Sequence, residues 1–185
     1  MLETAQFAEF ASAVVRQLPR DLDPTTAQGW IQNQRALADT LRKVLKPESE
    51  SVTIQVSDTG ALQPPYNGWE LVEDATTPVG TPELELTEFL EQGEDYVKGD
   101  VMRERAKKSG PMLGERHARA LLNKQERIPE SWKKFYLVFP GTVWRDRDGG
   151  LSVPYLHWGG GGWYLRFAWL GHDFDRDARV VSLRK

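Results

Sequence analysis

The last 50 residues constrain the fold most. Phe135–Phe139, Thr142–Arg145, Leu151–Trp158, Trp163–Leu170 and Arg179–Leu183 are short runs rich in β-branched and aromatic residues. Pro140-Gly141, Asp148-Gly149-Gly150, Gly159 to Gly162 and the Asp-rich 173–177 stretch separate them, each with the chemistry a chain reversal needs. The pattern predicts a small antiparallel sheet, a meander or an open barrel. In the fourth run Trp163, Leu165, Phe167 and Trp169 alternate with Tyr164, Arg166 and Ala168, and the first set is expected to be the buried face. Pro154 cannot donate to a ladder, which places its strand at an edge or at a bulge.

The chain upstream has a different period. Phe7, Phe10, Ala11, Val14 and Leu18 recur at helical spacing before Pro19. Asp23-Pro24 is a cap followed by proline at the first helical position. Trp30, Ile31, Leu37, Leu41, Val44 and Leu45 continue an apolar stripe, with Gly29 and Asn33 as the points where it can break, and Pro47 as its end. Helix packing accounts for both stripes. Residues 47–82 are turn-rich: Asp58-Thr59-Gly60, Gln63-Pro64-Pro65, Asn67-Gly68 and Pro78-Val79-Gly80 surround the alternating Val52, Ile54 and Val56. Trp69, Leu71 and Val72 would supply a partner strand, so one hairpin is expected there.

Residues 84–90, LELTEFL, fit helix or strand equally. Gly99–Lys108 and Leu113–Lys124 read as helices separated by Ser109-Gly110-Pro111, and Ile128-Pro129-Glu130 starts a helical turn carrying Trp132. The fold class is therefore α+β: helices over 1–46, an irregular connection over 47–82, then a helical pair and an antiparallel sheet packed by helices over 83–185.

Composition removes whole classes of chemistry. The 185 residues include no cysteine, hence no disulfide, thiolate nucleophile or Cys-based metal site. No apolar run approaches the length of a membrane span, and the N-terminus MLETAQFAEF lacks the basic start of a signal peptide. A soluble, cytoplasmic protein is the expectation. The net charge of −3 conceals an asymmetry: residues 1–97 carry six basic and 17 acidic side chains, a net −11, whereas 98–134 carry +6 and 135–185 carry +2.

The blocks FPGTVWRDRDGG, VPYLHW and WYLRFAWL, preceded by LGERHARALLNKQERIPESW, resemble a group of short bacterial proteins with no assigned activity. The resemblance extends to DPTTAQGWIQNQRALADTLRKVL and covers about two thirds of the chain, leaving 47–82 outside it. It implies a shared architecture and transfers no functional residue.

Known motifs fail on their spacing. A calcium loop starting at Asp173 requires glycine at 178 and glutamate at 184, where Ala178 and Arg184 stand; the aspartates at 173–177 read as a solvated turn, as do Asp146 and Asp148. His117, His157 and His172 have no metal-ligand spacing, and His172 beside Asp173 is only a sequence neighbour. The Gly159–Gly162 run precedes a strand and not a helix, so it is no phosphate loop. Aligning 99–125 on a helix-turn-helix puts Arg105, Arg116 and Arg119 at positions that motif buries. A helical pair packed through Val101, Met102, Ala106, Leu113, Leu121 and Leu122 fits better.

Two binding readings survive, and an enzyme using His172 with nearby aspartates ranks below both. No catalytic residue, metal ligand or cofactor is assigned. The first reading is a non-enzymatic binding or protein-interaction module. The alternative is nucleic-acid association through basic 98–134, with Lys107, Lys108, Arg116 and Arg119 as an exposed patch. Of the 19 aromatics, 12 lie between Trp132 and Phe174. Most should be core, but Tyr155, His157, Tyr164 and Arg166 are expected to face outward, where rings can stack on a ligand.

Overall fold

A computed structural model describes residues 4–44, 50–57, 60–74 and 80–184. The expected continuation of the helical stripe to Leu45, its stop at Pro47, and the turns at Asp58-Thr59 and Pro78-Val79 lie outside the described residues. The chain divides into two compact units, Met1–Glu48 and Ser49–Lys185.

The first unit contains α1 (Thr4–Gln17), α2 (Pro24–Gln32) and α3 (Gln34–Val44). The Asp23 carboxylate caps α2 by accepting from the Thr26 N–H at 2.9 Å, with Pro24 behind it. Asn33 divides the long stripe: it ends α2, and its side chain accepts from the Ala36 N–H at 3.1 Å to start α3. The apolar stripe of α1 does not become core. Phe7, Phe10 and Leu18 are exposed, and Ala11 and Val14 are half-buried.

The second unit is built, among the described residues, on an eight-stranded open sheet: β1 (Ser51–Thr53), β2 (Glu70–Asp74), β3 (Glu83–Thr87), β5 (Tyr136–Val138), β6 (Thr142–Arg145), β7 (Leu151–Trp158), β8 (Trp163–Trp169) and β10 (Ala178–Leu183). A separate ribbon pairs β4 (Tyr96–Lys98) with β9 (Asp173–Asp175). The fold class is α+β. The ambiguous 84–90 segment is a strand in its first half because Leu84 and Leu86 pair opposite Leu183 and Val181 of β10.

Alternation sorts the sheet into two faces. Leu137 and Phe139, Leu156 and Val181 point one way, into a core with Leu113, Ala118 and Leu121 around α5 (Glu115–Leu122). Val138, Val153 and Val180 point the other way, against Met102 and Ala106 of α4 (Gly99–Ser109) and against Val97 and Phe174 of the ribbon. Each helix covers its own face. That geometry rules out the helix-turn-helix arrangement and leaves Val101 exposed.

Several expectations are corrected. β1 and β2 do not form a hairpin with each other: β1 pairs with β3, and β2 pairs with β6, so the 47–82 stretch supplies two strands to one sheet. The meander holds only for β6, β7 and β8; β10 leaves it to lie parallel to β5 and antiparallel to β3. Residues 173–175 are a strand, not a turn, because Phe174 alternates inward between two exposed aspartates. Pro154 sits in a central strand. Its carbonyl accepts from the Phe139 N–H at 2.9 Å, so its ring nitrogen faces the same side, towards residues 139–141 where β5 hands over to β6. Continuing the β5–β7 register places Phe139 opposite Pro154, so the missing donor shortens that ladder by one bond at the end of β5.

Arg105 ties α4 to the loop before the ribbon. Its guanidinium donates to the Glu94 carboxylate at 2.5 and 2.9 Å and to the Phe89 carbonyl at 2.9 Å. The bond from Arg105, followed by that from the Glu91 N–H, holds the Glu94 carboxyl at about 2, down from 4.5. A depressed folded value means stabilisation that is full above the unfolded value and lost as pH falls through the folded one. The clamp should therefore loosen between pH 4.5 and about 2. A carboxyl titration of Glu94 by NMR tests this, and a midpoint near 4.5 would mean that the clamp is not made in solution.

Candidate functional site

Two turns of the second unit use the same device. At Tyr66–Trp69 the Trp69 N–H donates to the Tyr66 carbonyl at 3.2 Å, and Gly68 takes the left-handed φ of 80° that a turn of this kind needs at its third position. At Trp169–His172 the His172 N–H donates to the Trp169 carbonyl at 3.1 Å. A turn closed between its first and fourth residues brings those side chains together. Tyr66 meets Trp69 at a centroid distance of 5.0 Å, and Trp169 meets His172 at 5.1 Å, both edge to face.

Phe167 joins the first pair, 6.1 Å from Tyr66 and 5.7 Å from Trp69. These rings, with Tyr136, Tyr155, Trp169 and His172, line a cavity of about 540 Å³ whose floor includes Val138, Ser152 and Ala168. The size lies in the range of small-ligand sites, and such sites are typically apolar with a few polar groups. Asp173, Phe174 and Asp175 of the ribbon and Ala178 of β10 also line it; among the described residues no lysine or arginine belongs to it.

From the cavity an aromatic row runs across the sheet. Tyr136 lies 5.7 Å from Tyr155, Tyr155 lies 5.9 Å from His157, and His157 lies 5.7 Å from Tyr164. Arg166 sits over the Tyr164 ring at 5.7 Å. Register explains the row: Tyr155 pairs opposite Arg166 and His157 opposite Tyr164. Burial pushes the Tyr155 phenol above its ordinary value, with Tyr136 adding to the shift and Arg166 opposing it.

The structure brings together Tyr155, His157, Tyr164 and Arg166, with Tyr164 and Arg166 exposed and the other two half-buried. It does not bring together the four basic residues. Lys107 and Lys108 are exposed on α4. Arg116 on α5 forms an ion pair with Asp74 in which both side chains are largely buried. Arg119 pairs with the fully buried Glu115 through bonds of 2.8 and 2.5 Å. Two positive charges of the segment are thus neutralised within the fold, and the helices stand on opposite faces of the sheet.

Trp169 corrects the alternation expected for β8. Trp163 is buried, Leu165 and Phe167 are half-buried, and Trp169 is 48% exposed. Among the described residues β8 pairs only with β7, so it is an edge strand, and the core around α5 reaches Trp163 and Leu165 but not the far end. Tyr66 and Trp69 were not anticipated as site residues. The signal for them was two large aromatics bracketing Asn-Gly within a proline-rich loop, a place where rings have no core to fill.

A second cavity of about 450 Å³ lies between β3, β10 and α4. Its polar groups are engaged with one another or their neighbours: Thr87 with Ser182 at 2.6 Å, Arg105 with Glu94, and Arg184 with Glu83. Among the described residues no three His, Asp or Glu stand close enough to hold a metal ion, and no helix is long and apolar enough to cross a membrane. No family model, no curated protein and no solved structure matches the chain.

Proposed function

We propose that this chain is a binding module, without catalysis of its own, whose ligand enters the aromatic cavity framed by the turns 66–69 and 169–172. The observation that carries this reading is the cavity itself: rings from two separate turns and four strands converge on one space. Large side chains left half-exposed around a concavity lose water when a ligand enters, at about 25 cal/mol per Å² of apolar area covered. A cytoplasmic location, a protein partner and kinship with the short bacterial proteins are part of the same proposal.

The alternative, nucleic-acid association, draws on the exposed rings of Tyr136 and Tyr164 beside Arg166. It needs cations along the backbone path, and Arg116 and Arg119 already hold carboxylates.

NMR of the seven tryptophan indoles separates the readings. Titration with a library of small aromatic and amine fragments should move the Trp69 and Trp169 signals saturably and leave buried Trp144 unmoved. Fragments that never perturb those two indoles would overturn the cavity. Saturable, salt-sensitive binding of a single-stranded oligonucleotide at submicromolar concentration would promote the alternative.

A further inference from the structure

We propose that the cavity selects an organic cation with a methylated ammonium head, its methyl groups against the rings and its charge facing Asp175. This deepens the binding reading above and rests on it. The charge lining decides the sign. The aspartates at 173 and 175 are the carboxylates of the cavity, and among the described residues no lysine or arginine offsets them in its lining. They are not equivalent. Asp173 is held by Lys98 at 2.6 Å, whereas Asp175 accepts the Asp177 N–H at 2.9 Å and has no cationic partner among the described residues. A phosphate or carboxylate ligand would meet repulsion and find no counter-charge.

The walls decide the kind of cation. Aromatic faces carry negative charge density and attract a cation lying over them. A primary ammonium brings three N–H donors that must be satisfied, and walls of Trp69, Tyr155, Phe167 and Trp169 rings offer few acceptors. A quaternary or trimethylated head brings none. Its charge is spread over methyl groups that fit apolar walls, so it leaves water at a smaller cost. The Tyr155 phenol is neutral at physiological pH, as an ordinary tyrosine is, so it adds no negative charge to that of the aspartates.

The test uses the full chain and two probes of the same shape: choline, and 3,3-dimethyl-1-butanol, in which carbon replaces the charged nitrogen. Indole shifts at Trp69 and Trp169 report binding. Choline should bind at least about tenfold tighter than its neutral analogue, the discrimination expected of a partly desolvated cation on aromatic faces. Asp175→Asn, on an exposed side chain, should retain the circular dichroism of the parent and weaken choline about threefold or more. A trimethyllysine peptide and its unmethylated counterpart form the second arm. Methyl-dependent binding tighter than choline identifies a protein side chain as the source of the head group, and binding no tighter identifies a free small molecule; both support the cation. Equal affinity for choline and the alcohol overturns the cation while leaving the binding module intact. The cation is equally overturned if other fragments bind and choline does not. If no fragment binds either, the binding reading itself has failed.

Discussion

Trp144→Ala should cost about 3–5 kcal/mol of folding stability, whereas Trp169→Ala should cost less than about 1 kcal/mol. Trp144 is 1% exposed on β6, paired opposite Leu71 of β2 and Ser152 of β7. Its indole N–H donates to Glu115 at 2.6 Å. Truncation leaves a void in the sheet and a buried carboxylate one donor short. Trp169 is also in a strand of this sheet, yet it lies half in solvent against His172. Urea denaturation of the two variants tests the contrast, and equal losses would mean that the end of β8 is covered in solution.

The second large effect is expected at Glu115. Its side chain is fully buried at the start of α5 and accepts from Trp144 and from Arg119, while its backbone N–H donates to the Thr142 hydroxyl at 2.8 Å. The Thr142 hydroxyl in turn donates to Asp74 at 2.9 Å, and Asp74 holds Arg116. A carboxylate at a helix N-terminus also faces the positive end of the helix dipole. Glu115→Ala removes the shared acceptor of Trp144 and Arg119 and orphans the buried Trp144 N–H, while the backbone bond to Thr142 survives; the loss should be about 3–5 kcal/mol. Arg119 is half-exposed, so water can replace its guanidinium, and Arg119→Ala should cost only about 1–2 kcal/mol. Thermal or urea unfolding of the two variants gives the ordering, and an arginine variant as damaged as the glutamate variant would contradict it.

Local chemistry was legible in the sequence; partnership was not. Asp23-Pro24 and Asn33 announce helix boundaries because a cap acts within three residues of itself. The strand runs of 135–183 are legible because turn residues punctuate them. Which strands pair is a non-local matter. Nothing within SVTIQVSD states that β1 lies beside β3, and nothing in Ala178–Leu183 states that the strand passes β8 to reach β5. The Tyr155, His157, Tyr164 and Arg166 set was legible because alternation in two adjacent strands is enough to place it on one face. Tyr66 and Trp69 were missed because a loop has no period to read. Arg116 and Arg119 looked like surface charge because their carboxylates, Asp74 and Glu115, become partners only after folding.

The position of β10 has a consequence for biosynthesis. It leaves the ribosome after every other described strand of the sheet, yet it occupies an interior place between β3 and β5. Until residues 178–183 emerge, no strand links β1 and β3 to the rest of the described sheet, and β3 and β5 each present a bare edge. Unpaired edges recruit strands from other chains, and non-local pairing delays their closure. A chain whose residues 178–183 have not yet docked between β3 and β5 would therefore be the species most in need of a chaperone, and the docking of β10 would set the yield of folded protein.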